Sequence, residues 1–109
     1  MILASFPFQL LDWSAIEFVT HKGTTGFAVW KVFMMNETRI RLVEYSANYS
    51  ANHWCNKGHV IYCIEGDMRT TLADGRNYLL SAGISYIVGD QNESHKSESK
   101  HGCKLFIVD

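Results

Sequence analysis

His53, Cys55, His59 and His95 are the residues whose types and spacing could do chemistry in this 109-residue chain. Imidazole nitrogen and thiolate sulfur suit zinc, iron, nickel or copper, and are the wrong donors for magnesium or calcium. In extended chain, residues two apart project from one face, so His53 and Cys55 point together while Trp54 points oppositely. His59 keeps that parity if the Asn56-Lys57-Gly58 turn preserves the register, and His95 would have to arrive from a neighbouring strand. Four donors around a tetrahedral zinc would leave no open position and make the ion structural. Three histidines with Cys55 unbound would leave a position open to water or substrate, where the ion acts as Lewis acid or oxygen activator. The expected ligands are His53, His59 and His95, with Cys55 as the fourth donor.

Holding such a group together calls for short, rigid elements. From Ala15 onward the chain is a succession of Val-, Ile-, Tyr-, Phe- and Thr-rich segments divided by Gly, Asn, Asp and Ser clusters, which is a strand signature. The expected strands are 16–20, 25–35, 38–45, 58–65, 67–72, 76–80, 85–88, 95–98 and 103–108. Nine short strands with almost no helix predict a β-sandwich or barrel. Asn36-Glu37, Glu65-Gly66-Asp67 and Ala73-Asp74-Gly75 fall where hairpins need residues that tolerate positive φ. Phe8 to Trp13 has mixed character, with Asp12 and Ser14 placed to cap a helical turn. In Thr38-Arg39-Ile40-Arg41-Leu42, alternation puts both arginines on one face; the ordinary expectation is arginines in solvent over a buried Ile40 and Leu42. The other reading points an arginine into a polar barrel interior, toward an anionic ligand.

Composition narrows the field. Hydrophobic residues make up 47% and charged residues 19%, which excludes disorder, and no segment reaches the ~20 apolar residues of a membrane helix. Ten basic against eleven acidic residues leave a formal charge of -1 and no sequence-wide field for a polyphosphate, so neither nucleic acid nor membrane is an expected partner. The opening MILASFPFQLLDW lacks the charged region and unbroken apolar core of a secretory leader. Cys55, Cys63 and Cys103 are odd in number, so a reducing, cytoplasmic setting is expected. With no internal repeat or linker, the chain reads as a single domain. It has neither a phosphate-binding Gly-rich loop nor a serine nucleophile elbow. Cys63 shares the parity of His59, and Cys103 opens an apolar terminal strand; both are expected to be inert buried thiols. Trp30, Met34, Trp54 and Tyr86 serve first as core packing, and His21 and His101 as surface residues.

The run His53-Trp54-Cys55-Asn56-Lys57-Gly58-His59, continuing to Gly66, resembles the first motif of the cupin superfamily. In that motif two histidines separated by one residue are followed by a glutamate and then a glycine. Here Cys55 stands at the second histidine and His59 at the glutamate, while Gly66 is in register. Gly83, the segment 84–88, the turn 89–94 and His95 resemble the second motif, without its proline and with one extra residue before the histidine. Asn52-His53-Trp54-Cys55 with Lys57-Gly58-His59 is similar to the small DHCW-motif cupin-fold proteins, with Asn52 where those have aspartate. Asp12-Trp13, His21-Lys22-Gly23, Gly26 with Trp30, and Arg39 to Tyr45 agree with that likeness.

The resemblance implies a cupin-type double-stranded β-helix, that is, a jelly-roll barrel, and a homodimer paired through outer strands such as Phe27 to Met35. The function it implies is a metal-binding cupin holding a small polar molecule in its barrel. A metal-dependent enzyme of the oxygenase or isomerase class and a metal-free structural or interaction domain stay beside it as alternatives.

Overall fold

The computed structural model describes residues 5–109, leaving residues 1–4 of the opening segment outside the description. Nine strands follow one another: β1 (Val19–Lys22), β2 (Phe27–Met35), β3 (Thr38–Tyr45), β4 (Tyr49–Ser50), β5 (His59–Leu72), β6 (Asn77–Ser81), β7 (Ser85–Val88), β8 (His95–Ser99) and β9 (Cys103–Val108). The segments read from the sequence reappear, with shifts of a few residues at their ends. The expected strand at 16–20 lies later, at β1, and the two-residue β4 has no counterpart in the expected set. Before β1, Asp12 caps a single 3-10 turn, Trp13–Ala15, by accepting from the Ser14 backbone N–H.

One expected turn is not a turn. Glu65-Gly66-Asp67 does not reverse the chain; it lies inside the 14-residue β5. Gly66 takes φ +76 and the ladder to β9 slips between Cys63 and Glu65, so the strand bends rather than folds back. The first half of β5 pairs with β9 and β7, and the second half with β8 and β6, all antiparallel. Ala82 and Gly83 donate to the Gly66 and Cys63 carbonyls, so β6 and β7 accompany β5 around the bend. The Asn36 and Gly75 turns are hairpins as expected, each with positive φ at the named residue.

The result is an all-β, curled antiparallel sheet of jelly-roll type, with strand order β1-β2-β3-β9-β5-β8-β4 and with β6 and β7 on β5. Alternation fills the concave side. From β5 come Ile61, Cys63 and Met68, from β9 Cys103, Leu105 and Ile107, and from β3 and β6 Val43 and Leu80, in one buried cluster. The Cys63 thiol donates to the Glu65 and Gly66 carbonyls, and so ties the bend to the core.

Gly66 has no room for a side chain, because a Cβ there would sit 2.3 Å from the Gly102 carbonyl oxygen. Left-handed backbone costs an L-residue about 1–2 kcal/mol and overpacking about 1–3 more. Gly66→Ala is therefore expected to lower unfolding stability by about 2–5 kcal/mol in urea denaturation; a loss below about 1 kcal/mol would show that the bend does not depend on this residue.

Candidate metal centre

Two stretches remote in sequence are stitched together at one end of the barrel. Cys55 and His95 exchange backbone hydrogen bonds in both directions, at 2.8 and 3.0 Å, forming an isolated antiparallel bridge. Around it Gln91 donates to the Asn56 carbonyl, Ser94 bonds the Asn56 side chain, and the Gly58 N–H donates to the Asp90 carboxylate at 2.6 Å. A Cβ on Gly58 would meet the Asp90 nitrogen at 2.5 Å, so only glycine lets the two loops approach so closely. His59 starts β5 immediately afterwards, opposite Val88.

Cys55, His59 and His95 thereby converge, with donor atoms all within 4.8 Å of one another. His53 does not join them. Bends at residues 52–53 interrupt the extended chain just before Cys55, so the two-residue parity is lost. The His53 ring is exposed and donates from Nδ1 to the Asn52 amide oxygen at 2.8 Å. The structure thus assembles three of the four expected donors and leaves the fourth outside.

Proton accounting shows what the three can hold. His95 Nδ1 faces the Glu93 carbonyl at 2.9 Å; a carbonyl only accepts, so Nδ1 carries the hydrogen and Nε2 presents a lone pair in the neutral ring. His59 Nδ1 faces the Asp109 carboxylate at 3.7 Å, an electrostatic contact too long for a hydrogen bond, and is otherwise without a partner. Its Nε2 lies 2.9 Å from His95 Nε2 and 3.0 Å from the Tyr86 hydroxyl. Burial pushes the His59 imidazole down, toward its neutral form, against the pull of Asp109. Proximity to His95 outweighs burial and lowers the Cys55 thiol, and proximity to Cys55 raises His95. With His59 Nδ1–H turned to Asp109, two imidazole lone pairs and a sulfur face one point with only the Tyr86 proton among them. A cation fits that donor set, and borderline-to-soft divalent ions fit it best.

Behind His59 lies a group of charges that the expected face assignment missed. Arg41 is 6% exposed, not in solvent; it points inward, and Ile40 and Leu42 sit half-buried on the outer face. Arg39 grips both Asp109 carboxylate oxygens at 2.9 Å, and Arg41 donates to one of them at 3.0 Å. The Arg41 guanidinium also lies 4.3 Å above the Trp30 ring. Burial disfavours ionised Asp109, but His59 and the two arginines outweigh it and hold the carboxyl well below the usual range. The inward alternation Cys103, Leu105, Ile107, Asp109 would have found this carboxylate in the sequence.

Two clefts reach the cluster. A wide one of about 1010 Å³ opens on the His59 and Asp109 side, with exposed Glu37, Lys57, Asp90 and Asn92 on its walls. A narrower one of about 320 Å³ runs along the concave side past Tyr86 to His95.

With the geometry in hand, comparison with known proteins identifies the class. No family model and no curated protein matches the sequence. Solved structures do. A cupin-2 domain protein from Shewanella frigidimarina is 25% identical, with 73% of this chain and 78% of that one covered, at TM-score 0.59. The polyketide cyclase RemF from Streptomyces resistomycificus is 18% identical over 94% of this chain and 78% of its own, at TM-score 0.76. Fe(II)-HppE with an alternative substrate is 13% identical at TM-score 0.76; the match covers 94% of this chain and 60% of that one. This chain is a small cupin-fold protein.

The thiols test the site directly. Cys63 and Cys103 are buried, burial raises both, and Cys103 is pushed up to about 12, whereas Cys55 is half-exposed and lowered. In metal-stripped protein near neutral pH, a disulfide-exchange reagent is expected to label one thiol quickly and the other two only on unfolding. Fast labelling that persists in Cys55→Ser would place the reactive thiol elsewhere.

Proposed function

We propose that this protein is a metal-binding cupin that holds a small molecule inside its barrel beside a divalent transition ion. The observation that carries the reading is the convergence of Cys55, His59 and His95 within 4.8 Å in a largely buried corner. These three residues would hold the ion, with Asp109 orienting His59 from behind, as carboxylates commonly orient ligating histidines. Zinc, iron, nickel and copper all suit the donors. The bound ion would supply Lewis acidity or oxygen activation.

Three ligands support an open site better than a closed structural one, since a tetrahedral ion with three protein donors keeps a fourth position free. That favours, as a second reading, a metal-dependent enzyme of the oxygenase or isomerase class. In either case Tyr86 places a hydroxyl beside the donor set, 3.0 Å from His59 Nε2, where it can donate a hydrogen bond to a molecule bound at the ion. Among the described residues no helix is long and apolar enough to cross a membrane, and a cytoplasmic setting is consistent with the three free thiols.

Cobalt titration tests the proposal. One equivalent is expected to bind with a thiolate charge-transfer band, which Cys55→Ser removes. His59→Ala and His95→Ala should weaken binding at least about tenfold, and His53→Ala should leave it unchanged. Failure of the wild-type protein to bind cobalt, zinc, iron, nickel or copper stoichiometrically would end the metal reading.

We also propose a homodimer, paired through an exposed apolar row on β5 and β7 in addition to the outer-strand run Phe27 to Met35. On β2 only Phe27 and Met34 are exposed, whereas Val60, Tyr62, Ile64 and Ile87 form an exposed apolar row on the outer side of β5 and β7, with Ile87 75% exposed. Sedimentation at micromolar concentration should give twice the 12.4 kDa chain mass, and Tyr62→Glu should give the monomer. Monomeric wild-type protein would refute the pairing.

A further inference from the structure

The narrower cleft has a shape and lining that say more about its occupant than the metal donors do. It follows the inner side of β6 and β7, which pair only with β5 and so leave the barrel open along one edge. Alternation turns Leu72, Leu80 and Val88 into it, and Tyr78 stands at its lip, 55% exposed although opposite the buried Thr70. Its inner end is polar: Thr70, Tyr86 and His95. Thr70 is 4% exposed, and its hydroxyl has no partner besides the neighbouring Tyr86 phenol. Two adjacent buried hydroxyls leave hydrogen-bonding capacity unused, so a group that bonds them is favoured there. At the mouth Arg76 is tied to Asp74 and Glu93, which uses up its charge at the rim.

Charge defines the head of the ligand. Arg39 and Arg41 are offset by Asp109 and a Cys55 thiolate, so a divalent ion in the donor set leaves its own charge uncompensated. An anionic head group offsets part of it, and a carboxylate also accepts from the Thr70 and Tyr86 hydroxyls. Size and lining define the body. A cavity of roughly 150 Å³ accepts benzene, so about 320 Å³ accommodates one ring with its carboxylate and little more.

We propose that this cleft takes a small carboxylic acid with a ring-sized apolar body: carboxylate inward toward Thr70, Tyr86 and the metal donors, ring between Leu72, Leu80 and Val88 and against Tyr78. The inference rests on the metal-binding reading above, and it replaces the polar molecule expected from sequence with one that is polar at one end only. The wide cleft by contrast sets exposed Glu37, Lys57 and Asp90 beside Val60, Ile87 and Val88.

The test uses cobalt-loaded protein titrated with benzoate, acetate and oxalate, read by the cobalt spectrum and by calorimetry. Benzoate is expected to perturb the spectrum and bind at least about tenfold tighter than acetate or oxalate, since only benzoate buries a ring. Tyr78→Ala, at an exposed lip position remote from the donors, should weaken benzoate roughly two- to tenfold and leave acetate and cobalt affinities unchanged. Thr70→Val keeps the side-chain shape and should weaken both monocarboxylates with cobalt affinity intact. Benzoate binding no tighter than acetate, or insensitive to both substitutions while cobalt still binds, overturns this inference alone. Absence of cobalt binding overturns the metal reading, and with it the charge argument for a carboxylate.

Discussion

The architecture depends on one strand staying continuous through a bend. β5 pairs with β6, β7, β8 and β9, which is possible because Gly66 accepts a backbone conformation that other L-residues resist and lets the Gly102 carbonyl come close. The bend moves the strand from the part of the sheet built on β9 to the part built on β8. It also curls the surface enough to enclose a core of Cys63, Met68, Leu80 and Leu105. His59 begins this strand and Thr70 lies near its other end, so the proposed metal donors and the proposed ligand anchor share one backbone.

A second constraint is electrostatic. The Arg41 guanidinium and the Asp109 carboxylate lie in the interior behind His59, with Arg39 partly exposed at its edge, and desolvation penalises the buried charges. Apolar side chains of similar size often stabilise a fold as well or better than such a group. What they would not do is aim an imidazole: the carboxylate, fixed by both arginines, faces His59 Nδ1 and turns Nε2 toward His95 and Cys55. Trp30 beneath Arg41 completes the packing on the far side. The polar interior therefore reads as support for the site, extending from β3 through β9 to β5.

Much of the fold was legible because alternation and turn chemistry are local. β3, β7 and β9 lie where their Val, Ile and Tyr content places them, and the Asn36 and Gly75 hairpins follow from residues that tolerate positive φ. Gly66 defeats a local reading for an equally physical reason. A glycine flanked by Glu65 and Asp67 has the same local signature whether the chain reverses or only kinks, and the choice depends on which strands lie alongside. Arg41 points inward against expectation because alternation defines two faces without saying which is inside; Asp109, remote in sequence, decides it.

The site divides the same way. Residue chemistry alone determined that imidazoles and a thiolate are available, and that the ions they suit are borderline-to-soft transition metals. Spacing alone also determined that Cys55 and His59 sit close together along the chain. Which donors meet was decided in three dimensions: the paired Cys55–His95 bridge closes a long loop, and bends at residues 52–53 turn His53 away. Backbone hydrogen bonds between distant segments make that choice, and no single segment encodes its partner's position.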